Sequence, residues 1–343
     1  MKNSSVLHTP DTPRCDWDFK LSAVISSSAP ASDAIGVLEF DHTNSLLATG
    51  GIARKIRIYN AENLPKLNEG CDYYMYTPAK LSSLKWKPGS GSHLIGSGDY
   101  DGVVIEYDLE KRLPVFERDE HGGRRVWSID YSAADPALGA SASDDGTMQM
   151  WDTRCEAGTS VASVRPDRAG CSPVCCVEFN PFGGPAVALG CADRKIYGYE
   201  ARKMAEPVFV LEGHEKAVSY ARFLDSETIV SSSIDGSLMT WHAEERRIIR
   251  RYRGHVNSRR FVGLSVWRGG GGLMSCGSEN NRVFVYDRRW GDPIWACGFD
   301  AAAPQHQGFV SSVSWRQTAG DCCTLVAGGS DGVLKVFEGR RRD

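Results

Sequence analysis

Three observations predict an all-β fold, a seven-bladed β-propeller closed by an N-terminal strand. First, seven strand-like segments end in an aromatic followed by a polar or acidic residue. These aromatics are Tyr59, Tyr107, Trp151, Tyr199, Trp241, Tyr286 and Phe337, spaced by 48, 44, 48, 42, 45 and 51 residues. A period of about 40–45 residues with W-D endings marks the WD40-type repeat, with four strands to a blade. Second, a tight-turn signal precedes each ending. Third, no segment sustains a 3.6-residue periodicity, so essentially no helix is expected.

Taken in chain order, residues 1–14 read as a disordered tail, 15–339 as one propeller and 340–343 as a basic tail containing Arg340-Arg341-Arg342. After Phe337 too few residues remain for an outer strand, and open edges invite aggregation. The run LSAVIS (Leu21–Ser26) has the length and pattern to pair there, and SSSAPASDA then links it to the first blade. Asp101-Gly102, Asp145-Gly146, Asp235-Gly236 and Asp331-Gly332 are D-G turns between apolar strands. The other three blades use Ala53-Arg54, Asp193-Arg194 and Asn280-Asn281 at the same place. Gly213-His214 and Gly254-His255 open two repeats, and His121 opens a third. His214, Asp235 and Trp241 are expected to form a buried hydrogen-bonded set with a structural role, because buried polar groups need partners. The run Gly269–Gly272 reads as a surface turn in the sixth blade.

The 343 residues are 41% hydrophobic and 24% charged, with a net charge of −3. That balance excludes a mostly disordered chain and argues against wholesale attraction to nucleic acid or an anionic membrane. No apolar run approaches a membrane helix, and the N-terminus lacks a signal-peptide core. Eleven cysteines, an odd number, read as reduced thiols in the cytosol or nucleus.

Motifs for catalysis are weak. Gly328-Gly329-Ser330-Asp331-Gly332 matches G-x-S-x-G, but a strand pattern follows where a hydrolase needs a helix. There is no phosphate-binding glycine loop. Cys171, Cys175 and Cys176 cluster without a second ligand pair at zinc spacing. No enzyme activity, cofactor or metal is expected.

One surface carries information. Residues just before each blade's innermost strand lie at one rim, near the central channel. In four blades they are basic: Lys80, Arg124 with Arg125, Lys216, and Arg259 with Arg260. Arg194 and Lys195 face the same side, and Tyr100, Trp127, Tyr220 and Phe261 sit beside them. Such a rim favours a short acidic peptide with an apolar anchor. Equally, the charges are solvated and the aromatics pack between blades; the pattern alone gives both readings the same weight. Single-stranded nucleic acid fits the overall charge poorly, and a chromatin reader needs an acidic cage. On the opposite rim Trp151-Asp152-Thr153-Arg154 ends the third blade. Its arginine is not needed for folding and is expected to project toward an acidic partner pocket. Tyr286-Asp287-Arg288-Arg289 is a weaker copy.

PRCDWDF, ATGGIARKIRIY, TPAKLSSLKW, FERDEHGGRRVWS, GHVNSRRFVGLSVWR, VFVYDRRWG and LVAGGSDGVLKV resemble the plant repressor of UV-B photomorphogenesis family. They resemble more loosely the WD-repeat domain of the constitutively photomorphogenic ubiquitin ligase and its suppressor-of-phytochrome partners. Only a short segment precedes the first repeat, so the chain is not expected to be that ligase. The resemblance implies a monomeric regulator, in nucleus and cytosol, that binds the plant UV-B photoreceptor and promotes return of its monomers to the dimer. It implies a site for a Val-Pro motif, here Lys80, Tyr100, Arg125, Trp127, Lys216 and Phe261. Ser258, Cys191 and Arg194 stand where the ligase is expected to have an acid, Ser and His. W-D-T-R resembles the box by which propellers dock on the cullin-4 ligase's adaptor, so that Trp151, Asp152 and Arg154 are its expected contacts. The alternative function is thus a substrate receptor presenting Val-Pro-containing transcription factors. Neither reading involves direct contact with nucleic acid or membrane.

Overall fold

The computed structural model describes residues 16–26, 33–155, 160–299 and 308–342. Among them, seven antiparallel four-stranded sheets stand in a ring. The innermost strands, in order, are Ile35–Phe40, Leu81–Trp86, Val126–Tyr131, Val174–Phe179, Val218–Phe223, Leu264–Trp267 and Val310–Arg316. The last packs against the first and closes the ring. The described residues include one 3₁₀ turn, Leu64–Lys66.

The ring closes through an N-terminal strand, but a longer one than LSAVIS. It runs Trp17–Ile25 and pairs antiparallel with Leu334–Arg341. A bulge between Leu21 and Ala23 shifts the alternation, so Trp17, Phe19 and Ile25 are buried whereas Leu21 and Val24 face solvent. Arg340 and Arg341, expected in a tail, pair with Asp18 and Trp17 as the end of the last strand. The expected disordered tail lies outside the described residues, as do residues 27–32 of the expected linker. Asp33 of that linker is buried and ion-paired with Arg57.

Among the described residues the core forms seven apolar layers, one between each pair of neighbouring blades. Strands from both blades contribute to each layer, so a blade cannot bury its faces alone. Trp86, Trp151, Trp241, Trp267 and Trp315 are fully buried in these layers. Trp86 Nε1 donates to Glu39 O of the previous blade at 3.0 Å, and Trp267 Nε1 donates to Thr318 O of the next at 2.9 Å.

The seven turns that aim at the rim share one requirement. Each holds a residue at positive φ: Gly102, Gly146, Gly236 and Gly332, Asn281 at 57°, Arg54 at 53° and Arg194 at 77°. Glycine is at ease there, whereas an arginine is strained by its Cβ.

The channel side of the ring holds a belt of charge. The fifth residue of five successive innermost strands is Glu39, Lys85, Asp130, Glu178 and Arg222. Lys85 lies 2.7 Å from Glu39 and 3.6 Å from Asp130. Asp130 accepts Phe179 N–H of the next blade at 2.7 Å, and Glu178 accepts Phe223 N–H of the blade after. Arg268 reaches Glu178 at 3.1 Å. Each carboxylate therefore fastens one blade to its neighbour.

Candidate functional site: the basic rim

Trp127 of the third blade and Phe261 of the sixth meet across the channel mouth, ring centroids 4.4 Å apart. Tyr220 lies edge-on to Phe261 at 6.0 Å. These rings form an aromatic floor over the channel. Trp127 Nε1 donates to Asp144, which fixes the plane of the indole.

Arg125 is stacked in the wall. Its guanidinium lies 3.9 Å from the centroid of Tyr100 and 4.5 Å from that of Trp127. Its Nε is buried with no acceptor among the described residues. A buried donor without a partner costs about 1–3 kcal/mol, so the site is completed by whatever supplies the acceptor. Lys80 and Lys216 are exposed, and their backbone carbonyls hold them at strand starts: Lys80 O accepts Tyr100 N–H and Lys216 O accepts Ser233 Oγ–H. Among the described residues Lys80, Arg125, Arg194, Lys216, Arg259 and Arg260 form no ion pair, whereas the belt cations and Arg154 do.

The structure gathers Tyr100, Arg125, Trp127 and Phe261 into direct contact and places Lys80, Lys216 and Arg194 on the same rim. Lys195 differs: Glu212 neutralises it at 2.8 Å. Ser258 is held rather than free. Its N–H and Oγ–H both donate to Glu279. Glu279 also accepts Arg259 N–H at 2.7 Å and Arg260 N–H at 2.8 Å, so one carboxylate positions the whole arginine loop. Partial burial pushes the Glu279 carboxyl up, and these four hydrogen bonds overcome it and hold it at about 2. Sequence reading missed Glu279, which stands directly before Asn280-Asn281, at the place that Tyr100, Asp144, Ile234 and Ser330 hold ahead of the D-G turns.

His214 Nδ1 bonds Asp235 at 2.9 Å, while Ser231 Oγ lies 2.7 Å from His214 Nε2 and accepts Trp241 Nε1–H at 2.8 Å. His121, Asp145 and Ser141 repeat the first two contacts in the third blade. These sets lock the turns beneath the rim.

On the opposite rim Arg154 is exposed but engaged. Its Nε donates to both Asp152 oxygens at 2.8 and 3.1 Å, and a terminal nitrogen reaches Asp135 at 2.8 Å. Trp151 is buried. Arg289 makes the same clasp with Asp287 and Asp16.

Ser330 of the G-x-S-x-G match lies in a hairpin between strands Cys322–Gly329 and Leu334–Arg341, where its Oγ accepts Phe309 N–H. No helix follows to build a nucleophile elbow. Burial pushes the Cys175 and Cys191 thiols up, away from thiolate chemistry.

Fold and rim together define a WD-repeat β-propeller with an aromatic-floored, cationic mouth. The WD domain, G-beta repeat model matches residues 112–152 and 205–242. The chain belongs to the plant repressor of UV-B photomorphogenesis family, a group of WD-repeat regulators of UV-B signalling. It is 59% identical over 330 residues to WD repeat-containing protein RUP2 of Arabidopsis thaliana, covering 91% of this chain and 89% of that protein. It is 56% identical over 345 residues to RUP1 of the same plant, covering 98% and 89%. E3 ubiquitin-protein ligase COP1 of Arabidopsis thaliana is 33% identical over 318 residues, 90% of this chain but 45% of that protein.

Proposed function

We propose that this protein is a non-enzymatic regulator that binds the plant UV-B photoreceptor. In this reading a Val-Pro motif of the photoreceptor's C-terminal tail seats on Trp127, Tyr100 and Phe261. Carboxylates flanking the motif pair with Lys80, Arg125, Lys216 and Arg194. Occupying that tail excludes the photomorphogenic ligase. A second contact with the photoreceptor body leaves the dimer face open and favours return to the inactive dimer.

The observation that carries this reading is Arg125. It is wedged between two aromatic rings, its buried Nε lacks an acceptor, and it stands among cations without ion-pair partners. Burying a valine and a proline contributes about 2–4 kcal/mol, and charge-assisted hydrogen bonds add to it. After association costs, the tail alone binds at roughly micromolar strength, and the body contact raises avidity by linkage. Trp127→Ala removes the floor and the support for Arg125. Calorimetry with a Val-Pro tail peptide is expected to show a loss of about 2 kcal/mol or more, roughly 30-fold. Unchanged affinity sinks the pocket assignment.

The second reading, a receptor on a cullin-4 ligase, draws on the other rim. Arg154 keeps a side chain 63% exposed while its own carboxylates fix its direction. Adaptor binding that survives Arg154→Ala counts against that docking mode.

A further inference from the structure

The outer strand of the first blade, Tyr73–Tyr76, carries a surface that the rim does not explain. Tyr74 and Tyr76 project from one face of this edge strand, 45% and 68% exposed, with ring centroids 5.4 Å apart and planes at 87°. Among the described residues the other strongly exposed aromatic is Phe182, on another blade. The Lys55 ammonium lies over both rings, 4.8 Å from the Tyr74 centroid and 5.3 Å from that of Tyr76. Ile52 is exposed nearby, and between it and Lys55 stands Arg54, the strained arginine at φ 53°. Neither Lys55 nor Arg54 forms an ion pair among the described residues.

Charge runs along this strand. Lys55 pairs in register with Tyr76, at the rim end, and Arg54 O accepts Thr77 N–H there. At the other end stands Asp72, whose carboxylate is tied to Asn60 N–H. The cationic end leads into the candidate site: Thr77 Oγ donates to Ala79 O, and Lys80 follows four residues after Tyr76, at most about 14 Å of chain. Exposed tyrosines held rigid by a cation are characteristic of an interaction hot spot.

We propose that Tyr74, Tyr76, Lys55 and Arg54 form an outer docking surface for an acidic segment of a protein partner, continuous with the rim at Lys80. An extended acidic segment lays aliphatic or proline side chains on the tyrosines and sets carboxylates against Lys55 and Arg54. The far end is mixed in charge, with Asp72 beside Arg112, whose guanidinium lies 5.3 Å from the Tyr73 centroid, so the unpaired cations at the rim end set the preferred seat. The proposal extends the rim reading, but its primary test does not require the Val-Pro anchor.

The probe is a fluorescein-labelled decapeptide of aspartate, glutamate and proline, followed by anisotropy at low salt, with a lysine–proline decapeptide and a ten-mer of thymidylate as comparisons. The expected result is clear preference for the acidic peptide and at least fivefold weaker binding to the Lys55→Glu/Tyr76→Ala variant, with an unchanged melting temperature. Arg54→Gly, which relieves strain, gives a smaller loss in a more stable protein. In a second arm, a Val-Pro peptide extended by six acidic residues on one side or the other gains about tenfold over the bare peptide, and Lys55→Glu/Tyr76→Ala cancels that gain without altering the bare peptide's affinity. Failure of the bare peptide to bind defeats the rim reading and leaves the first arm standing. Equal binding of acidic and basic peptides, tighter binding of thymidylate, or acidic binding indifferent to Lys55→Glu/Tyr76→Ala overturns this proposal.

Discussion

Replacing Glu279 by Gln tests how the rim is held in shape. The carboxylate accepts Ser258 N–H at 3.0 Å, Ser258 Oγ–H at 2.7 Å, Arg259 N–H at 2.7 Å and Arg260 N–H at 2.8 Å. Glutamine supplies one acceptor oxygen and turns an NH₂ donor toward backbone donors. The native carboxyl is held at about 2, against an ordinary 4.5. At about 1.4 kcal/mol per unit that is an upper bound near 3 kcal/mol; Glu279 is partly exposed, and solvent screening brings it to about 1–2 kcal/mol. The sign follows from linkage: a carboxyl whose folded pKa is depressed stabilises fully above its unfolded value and loses that contribution as pH falls toward 2. Thermal melts are therefore expected to place Glu279→Gln a few degrees below the parent at pH 7, with the gap closing between pH 4.5 and about 2. The loosened Ser258–Arg260 loop also weakens an acidic peptide about 3–10-fold, read by anisotropy. A melting gap that stays constant down to pH 2.5, or a peptide affinity that does not move, refutes the reasoning.

Two further outcomes rest on separate features. Arg194→Gly relieves a residue at φ 77° and is expected to stabilise by about 1 kcal/mol, visible in urea melts, while weakening acidic-peptide binding; a loss of stability contradicts it. Glu178→Ala leaves Arg268, Arg222 and the Phe223 N–H without their buried carboxylate and is expected to cost about 3–5 kcal/mol, with Glu178→Gln costing less because it keeps an acceptor. A shift below 1 kcal/mol removes the belt as a fastening between blades.

The repeat was legible because each blade must satisfy the same local grammar: an apolar strand, a turn at positive φ, an aromatic ending. Even the blades without a D-G turn place Arg54, Arg194 and Asn281 at the same strained position. The closing strand was only half legible. Its alternation is broken by the bulge after Leu21, which leaves Leu21 and Val24 exposed, and the anchoring Trp17 and Phe19 lay outside the expected run. The rim cations could be placed because register fixes which residue starts a strand. Their neutralisation could not, since it depends on distances between strands and loops that sequence spacing does not encode. Glu212 takes Lys195 and, on the opposite rim, Asp135 and Asp152 take Arg154. The channel belt had a signal that went unread: a charged residue at the fifth place of five successive innermost strands, from Glu39 to Arg222.

The central claim is that the rim acts on the photoreceptor's return to its dimer. The direct measurement is size-exclusion chromatography over time of UV-B-monomerised photoreceptor, alone, with this protein, and with the Trp127→Ala variant. The account predicts faster recovery of dimer with the parent protein and a time course near that of the photoreceptor alone with the variant. Identical recovery in all three contradicts it, and acceleration that survives Trp127→Ala contradicts the place assigned to the site.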